Sequence, residues 1–265
     1  MFFSVHAAEP VVVGVSLDPP QDNNQKIVEP TLNVLKNTFG PHNLKIVRLP
    51  LPELEKNLEA GRIDIFLSTS GLSRRMAQKG AKELATMVSD RLPNPNEAYG
   101  TLFITRKDSP INSLEDMQGH SLVANLKGGF YGHQIGLGEL VKQGYDPYTF
   151  FSSVHYVGRD LKKVVNAVIS GKADVGSVSS CFLEDTYPKD GEVWKNLKGI
   201  GLKPNATGCL ASTDLYPNWS VSTMPTAEPA VARKAAEALL AMPKAEGGMG
   251  WSIATNSTRT DELFK

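Results

Sequence analysis

The chain has 265 residues, enough for about two domains with real hydrophobic cores. Its 28 Lys and Arg balance 28 Asp and Glu, so there is no basic field of the kind that nucleic acid partners require. The 41% hydrophobic share is ordinary for a globular protein, and no apolar run reaches the ~18 residues of a membrane span.

The N-terminal MFFSVHAAEP reads as the end of a secretory signal, with Val5 and Ala7 as the small residues at −3 and −1 of a cleavage site and residues 1–8 as its remnant. The charged region that should precede it is missing, and a frayed terminus is the other reading. Export implies a periplasmic location. In that compartment Cys181 and Cys209 fit one disulfide, while their spacing leaves two buried thiols equally open.

The elements then alternate. VVVGVSL (11–17) is a buried β-branched strand, and residues 24–38 follow as a helix with Ile27, Leu32 and Leu35 near helical spacing, ended by Gly40-Pro41. LKIVRL (44–49) is a second strand. Pro52 opens a helix with Leu54 and Leu58 inward, and IDIFLS (63–68) is a third strand. This order predicts a mainly parallel sheet with helices on its faces. YGTLFITR (99–106) is a longer strand. SLVANL (121–126) starts a second series: a helix over 130–143, a strand near Val154, a helix over 160–170 and the strand ADVGSV (173–178). LKGIGL (197–202) follows, and the chain ends in helices, the longest over 228–242.

A near-repeat runs through this order. LEAGRIDIFLSTS (58–70) matches VISGKADVGSVSS (168–180) at a constant offset of 110, pairing Gly61 with Gly171, Asp64 with Asp174, Thr69 with Ser179 and Ser70 with Ser180. Each copy reads as a helix closed by glycine, a short buried strand, and a hydroxyl-rich loop. In open α/β sheets ligands bind beyond the carboxyl ends of the strands. That places Ser68, Thr69 and Ser70 in one lobe, and Ser177, Ser179 and Ser180 in the other, as candidate donors to an oxyanion. Asp64 and Asp174 sit at strand starts, where loop hydrogen bonding is the expected role.

Other chemistries find little support. KGGFYGHQIGLGEL (127–140) lacks the Gly-Lys-Ser/Thr of a phosphate loop and the spacing of a dinucleotide fingerprint. The five histidines are scattered and the two cysteines lie far apart, unlike a zinc site. No Gly-x-Ser-x-Gly elbow is present. The chain is therefore expected not to be an enzyme and to need no cofactor. His133, in the first turn of its helix, reads as a surface or supporting residue.

The segments PNPNEAYGTLFITRKDSPINSLEDMQG (93–119), GGFYGHQIGLGELVKQGYDPYTFF (128–151), GKADVGSVSSCFLED (171–185), CLASTDLYPNWSVSTMP (209–225) and WSIAT (251–255) together resemble the type 2 periplasmic binding proteins of the phosphonate-binding-like group. Within that group the pattern is most similar to the periplasmic sensor domains of tetrathionate-sensor-like histidine kinases. The resemblance implies an α/β fold of two lobes with two hinge crossovers, near residues 101–106 and 209–213, closing on a small ligand. Lobe one would hold residues 9–104 and 212–265, and lobe two residues 105–211. Family ligands are often phosphorus or sulfur oxyanions. On that reading the helix start at Gly129, Phe130, Tyr131 and Gly132 offers backbone donors and a positive dipole end. Arg159 supplies charge at a second helix start. Phe130, Tyr131, Tyr99 and Trp219 either wall the cleft or pack in the cores.

Two functions share this expectation: the sensor domain of a membrane histidine kinase, with the kinase module in cis, and the solute-binding component of an importer with an ABC permease as partner. A third, an enzyme built on a two-lobed cleft, lacks a lysine or carboxylate constellation.

Overall fold

The computed structural model describes residues 9–17, 22–253 and 256–264. The expected signal remnant, with Val5 and Ala7, lies outside the described residues. In chain order the first elements are β1 (Val11–Ser16), α1 (Asp22–Phe39), β2 (Leu44–Leu49), α2 (Leu51–Glu59), β3 (Ile65–Thr69), α3 (Ser70–Ala77), β4 (Lys82–Val88) and β5 (Thr101–Arg106). β6 (Ser121–Ala124), α4 (Ile135–Lys142), α5 (Pro147–Phe150), β7 (Ser153–Tyr156), α6 (Leu161–Ile169) and β8 (Val175–Ser179) follow. The last are α7 (Phe182–Thr186), α8 (Glu192–Asn196), β9 (Leu197–Ile200), β10 (Trp219–Thr223), α9 (Pro229–Leu240), β11 (Gly250–Ile253) and α10 (Thr258–Leu263). A π-helical turn, Phe130–Gln134, leads directly into α4.

The chain divides into two compact units, residues 1–95 with 218–256 and residues 96–217 with 257–265. The first holds a six-stranded sheet in the order β11-β4-β10-β3-β1-β2. β1 pairs in parallel with β2 and β3, while β10 and β11 run antiparallel to their neighbours. Its α2 buries Leu51, Leu54 and Leu58, spaced one turn apart, against Ile63, Phe66, Leu72 and Met76. The helix closes at Gly61, whose φ of +66° lies in the left-handed region that glycine enters without steric cost. Asp64 then opens the strand, its carboxylate accepting the Val12 amide at 2.9 Å.

The second unit holds a five-stranded sheet in the order β7-β6-β8-β5-β9. β6 is parallel to β7 and β8, and β5 is antiparallel to β8 and β9. Strand alternation gives it two cores. Leu102 and Ile104 of β5 join Val123, Val178 and the inner stripe of α6 (Leu161, Val164, Val165, Val168). Phe103 points the other way, into Leu122, Val175, Leu140 and Phe150. The joint after α6 copies the one after α2. Gly171 takes a φ of +71°, and Asp174 accepts the Ser121 amide at 3.0 Å and its hydroxyl at 2.7 Å.

The 110-residue offset is thus a repeat of structure as well as of letters. Val15 pairs with Leu67 in one sheet, and Ala124 with Ser177 in the other. Ser16 in β1 and Asn125 just beyond β6 therefore hold equivalent places.

The boundaries differ from the expected 9–104 with 212–265 and 105–211. Thr101–Arg106 is an interior strand of the second sheet, and Ser212 is bonded to it through Ser212 N–H to Thr101 O at 2.8 Å and Phe103 N–H to Ser212 Oγ at 2.9 Å. Both expected crossover segments lie inside the second unit. The C-terminal helix belongs there too: Phe264 stacks on Phe130 with ring centroids 6.1 Å apart, and Arg259 donates to the Leu215 carbonyl at 2.9 Å.

Candidate functional site

In the first unit, the carboxyl ends of β1 and β3 bring Ser16 and Ser68 to adjacent strands. The segment after β3, read from the sequence as a loop, is the start of a helix instead. Thr69 occupies the N-cap position of α3 and Ser70 is its first residue. The first-turn amides and positive dipole end of α3 therefore stand directly at the strand edge. Thr69 is half-buried and its side chain makes no capping bond, whereas Ser68 and Ser70 are fully buried. β10 runs beside β3, with Trp219 opposite Thr69. Trp219 is buried in the core. Asn218, just before it, accepts the Trp219 amide through Oδ1 at 2.8 Å. One turn into α3, Ser73 shares its hydroxyl with Ser220 at 2.7 Å and Ser222 at 3.0 Å, which ties the helix to β10.

In the second unit, the parallel β6, β7 and β8 end on one edge, where antiparallel β5 begins. Ser179 ends β8 and Ser180 follows it directly, and both are buried. The Ser180 side chain fastens β8 to the chain entering β5. Its Oγ accepts the Gly100 amide at 2.9 Å while its own amide donates to Gly100 O at 2.9 Å. Ser177 donates to the Gly132 carbonyl at 2.6 Å and Thr101 to the Tyr131 carbonyl at 2.5 Å. These two bonds hold the π-turn over the ends of β8 and β5. Gly129 and Gly132 are needed for a specific reason. A Cβ on either would lie 2.7 Å or 3.0 Å from Asn125 Oδ1, so only glycine lets the Asn125 side chain lie against the turn.

The aromatic residues of this turn pack into the unit. Phe130 is 3% exposed and meets Tyr131, Tyr216 and Phe264. Tyr131 packs against Tyr99 at 5.3 Å and donates its hydroxyl to Pro217 O at 2.8 Å. Arg159 is half-buried, three residues beyond β7 and just before Asp160, which caps α6 by accepting the Lys162 amide at 2.9 Å. Gly158 donates to Asn125 O at 3.0 Å, which brings this segment beside the same edge.

Of the two readings offered for His133, surface or supporting, its burial excludes the first. The residue is 2% exposed, its ring packs edge-on against Tyr156, and Nε2 shares a 3.0 Å hydrogen bond with the Tyr156 hydroxyl. Burial pushes its imidazole down to about 4, so it is neutral at physiological pH. Directly after Ser180, Cys181 is bonded to Cys209 and takes a φ of +67°, the one non-glycine left-handed backbone among the described residues.

Buried polar atoms without a hydrogen-bond partner are rare in folded proteins, and each calls for an explanation. Among the described residues such atoms occur on Ser68, Asn218, Asn125, His133, Glu184 and Thr260. The first two lie at the strand edge of the first unit, and the next two at that of the second. Asn125 and Asn218 escaped the sequence reading, which named His133 only as a surface or supporting residue. Extending the repeat back to β1 and β6 would have found Asn125, as the polar residue that follows a buried strand.

Two α/β units, each presenting a helix start and buried polar atoms at the carboxyl edge of its sheet, and a family match along most of the chain together define a protein of the periplasmic solute-binding class. The chain belongs to the family of periplasmic phosphonate substrate-binding proteins of ABC transporters, whose profile matches residues 13–260. This is a family of binding proteins, not enzymes. In fold the chain is similar to a protein from Xanthomonas citri solved with chloride bound (TM-score 0.74, 20% identity, 96% of this chain and 95% of that one). It is also similar to PhnD1 from Prochlorococcus marinus, solved with methylphosphonate (TM-score 0.70, 12% identity, 96% and 97% of the two chains). In sequence it is 22% identical over 239 residues to the tetrathionate sensor histidine kinase TtrS of Salmonella typhimurium, covering 89% of this chain and 40% of that one. The chain thus spans less than half the length of that relative. No described helix is long and apolar enough to cross a membrane.

Proposed function

We propose that the protein binds a small oxyanion in the periplasm and serves as the ligand-sensing domain of a membrane histidine kinase. The observation that carries the oxyanion reading is the coincidence, in each unit, of a helix start with buried polar atoms that lack a partner. Backbone amides at a helix start suit an anion because they donate hydrogen bonds at the positive end of the dipole without a mobile counter-charge. Ser68, Thr69 and Ser70 frame the first of these starts, and Gly129, Gly132, Ser179, Ser180 and Arg159 lie around the second. Tyr99, Phe130 and Tyr131 shape the second unit's edge from within its core. The sensor role draws on the similarity to the tetrathionate sensor kinase along most of this chain.

A second reading, the solute-binding component of an ABC importer, is favoured by the family's own description. The two differ in what the gene encodes after Lys265. An open frame running into an apolar stretch of ~20 residues supports the sensor, and a stop codon there supports the importer. Ligand binding is tested by thermal shift with methylphosphonate, phosphate, sulfate, thiosulfate and tetrathionate. At least one is expected to raise the melting temperature, and Ser68→Ala with Thr69→Val is expected to remove that rise. No response to any of the five anions would overturn the oxyanion reading.

A further inference from the structure

The last helix of the chain, α10, has six residues, far fewer than a helix needs to hold itself together in water, so contacts keep it in place. Those contacts fall on the glycine turn and on the helix that the turn opens. Phe264 stacks on Phe130, with ring planes 21° apart and centroids 6.1 Å apart. Leu263 lies on the backbone of α4 at Gly138, where a Cβ would collide with its Cδ1 and stand 3.1 Å from its Cγ. Arg259 donates to the Leu215 carbonyl at 2.9 Å and pairs with Glu97 at 3.4 Å. Glu97 and Leu215 belong to the segments by which the chain enters and leaves this unit, and the bridge between Tyr99 and Tyr216 sets those segments side by side.

Phe130 serves both sides of this arrangement. Its backbone belongs to the π-turn, the helix start to which the anion is assigned above, and its ring carries Phe264. The turn is closed by the Gln134 amide on Gly129 O at 2.9 Å and by the Ile135 amide on Phe130 O. Tyr131, the next residue, holds the leaving segment through its hydroxyl on Pro217 O at 2.8 Å, and Tyr216 meets the Phe130 ring edge-on at 6.0 Å. A short terminal element docked on so few contacts opens at low free-energy cost, so its docking responds to where Phe130 stands. Two equilibria that both depend on the placement of one residue are coupled, and the coupling acts equally in both directions.

We propose that α10 is a strap on the ligand turn. Leu263 and Phe264 are positioning residues that hold the π-turn in its anion-accepting geometry, and an anion bound at the turn holds the strap down in return. This rests on the oxyanion reading above.

The test compares the intact chain with Leu263→Ala/Phe264→Ala, which loosens the strap and leaves the residues of the turn unchanged. Without anion, amide exchange followed by NMR should quicken at least about fivefold at Gln134 and Ile135 in the variant. Calorimetric titration with methylphosphonate, phosphate, sulfate, thiosulfate and tetrathionate follows. Each anion that binds the wild type should bind the variant at least about fivefold more weakly. In the wild type the same anion should slow exchange at the Phe264 amide, which donates to Asp261 O at 3.2 Å. A helix that only frays at its own end would not respond to it. Gly138→Ala is the second variant if the first does not fold. Alanine improves the helix propensity of α4 while its Cβ displaces Leu263, so it too should quicken exchange at Gln134 and Ile135 and weaken anion binding. Unchanged exchange at those two amides, or equal affinity of a bound anion for the wild type and the folded variant, would overturn the strap and leave the oxyanion reading standing. Failure of all five anions to bind overturns the two together.

Discussion

Acidification should weaken the second unit through His133. The imidazole has an ordinary value of 6.5, and burial lowers it to about 4 in the folded chain. A depressed folded value means that the unfolded chain takes up a proton which the folded chain refuses. The stability is therefore complete above about pH 6.5 and drains away as the pH falls toward 4. Linkage gives a loss of about 2 kcal/mol at pH 5 and about 3 kcal/mol at pH 4 from this residue. The side chain is 2% exposed, so solvent screening does little to reduce that figure. Guanidinium unfolding at pH 7.5 and pH 5.0 measures it, compared between wild type and His133→Gln. The variant is expected to be weaker at pH 7.5, because it disturbs the bond to Tyr156, and to lose about 2 kcal/mol less on acidification. Tyr156→Phe should retain the wild-type pH dependence, since it removes the hydrogen-bond partner and not the titrating group. An identical pH loss in wild type and His133→Gln would refute burial of an uncharged imidazole as the cause.

Other expectations concern the frame around the edges. A thiol count on unreduced protein should find none, and reduction should destabilise the chain by about 3.5 kcal/mol, the loop-closure value for the 28-residue separation of Cys181 and Cys209. With the bridge removed in both, Cys181→Gly/Cys209→Ala should exceed Cys181→Ala/Cys209→Ala in stability by about 1 kcal/mol, because the left-handed backbone at Cys181 suits glycine. Gly176→Ala places a Cβ 2.7 Å from Val168 and 2.9 Å from Ile104, so a loss of about 1–3 kcal/mol is expected in thermal or denaturant melts. Asp174→Asn should weaken the joint between β6 and β8 at neutral pH. Hydrogen bonds from Ser121 lower the Asp174 carboxyl, so its contribution is present above the ordinary carboxylate range and lost in acid, and the variant's deficit should shrink as the pH falls through that range.

Much of the frame was legible in the residues because it is local. Helical spacing in Leu51, Leu54 and Leu58, and again in Leu161, Val164, Val165 and Val168, marks the inner faces of α2 and α6. Gly61 and Gly171 announce helix ends because few other residues accept a left-handed backbone. Asp64 and Asp174 sit at strand starts because a carboxylate there can accept an amide from the neighbouring strand. The offset of 110 tied these joints together before any strand was paired. What remained hidden depends on partners far away in the chain. The short runs of β4, β10 and β11 become strands by pairing with one another and with β3. The C-terminal helix joined the second unit through Phe130 and Leu215, which no local pattern indicates.

The site divides along the same line. Residue types alone mark which segments end at the strand edges and that they carry hydroxyls and glycines, since these follow from strand ends and turn chemistry. Which of those groups the fold consumes depends on neighbours brought together by folding. Ser180 and Ser177 hold backbone groups in place, and Phe130 fills a core, although their residue types are those of ligand contacts. Asn125, His133, Ser68 and Asn218 keep a buried polar atom unpaired. Hydrogen-bond satisfaction is a property of three-dimensional neighbours, and for that reason a residue's letter alone could not reveal it.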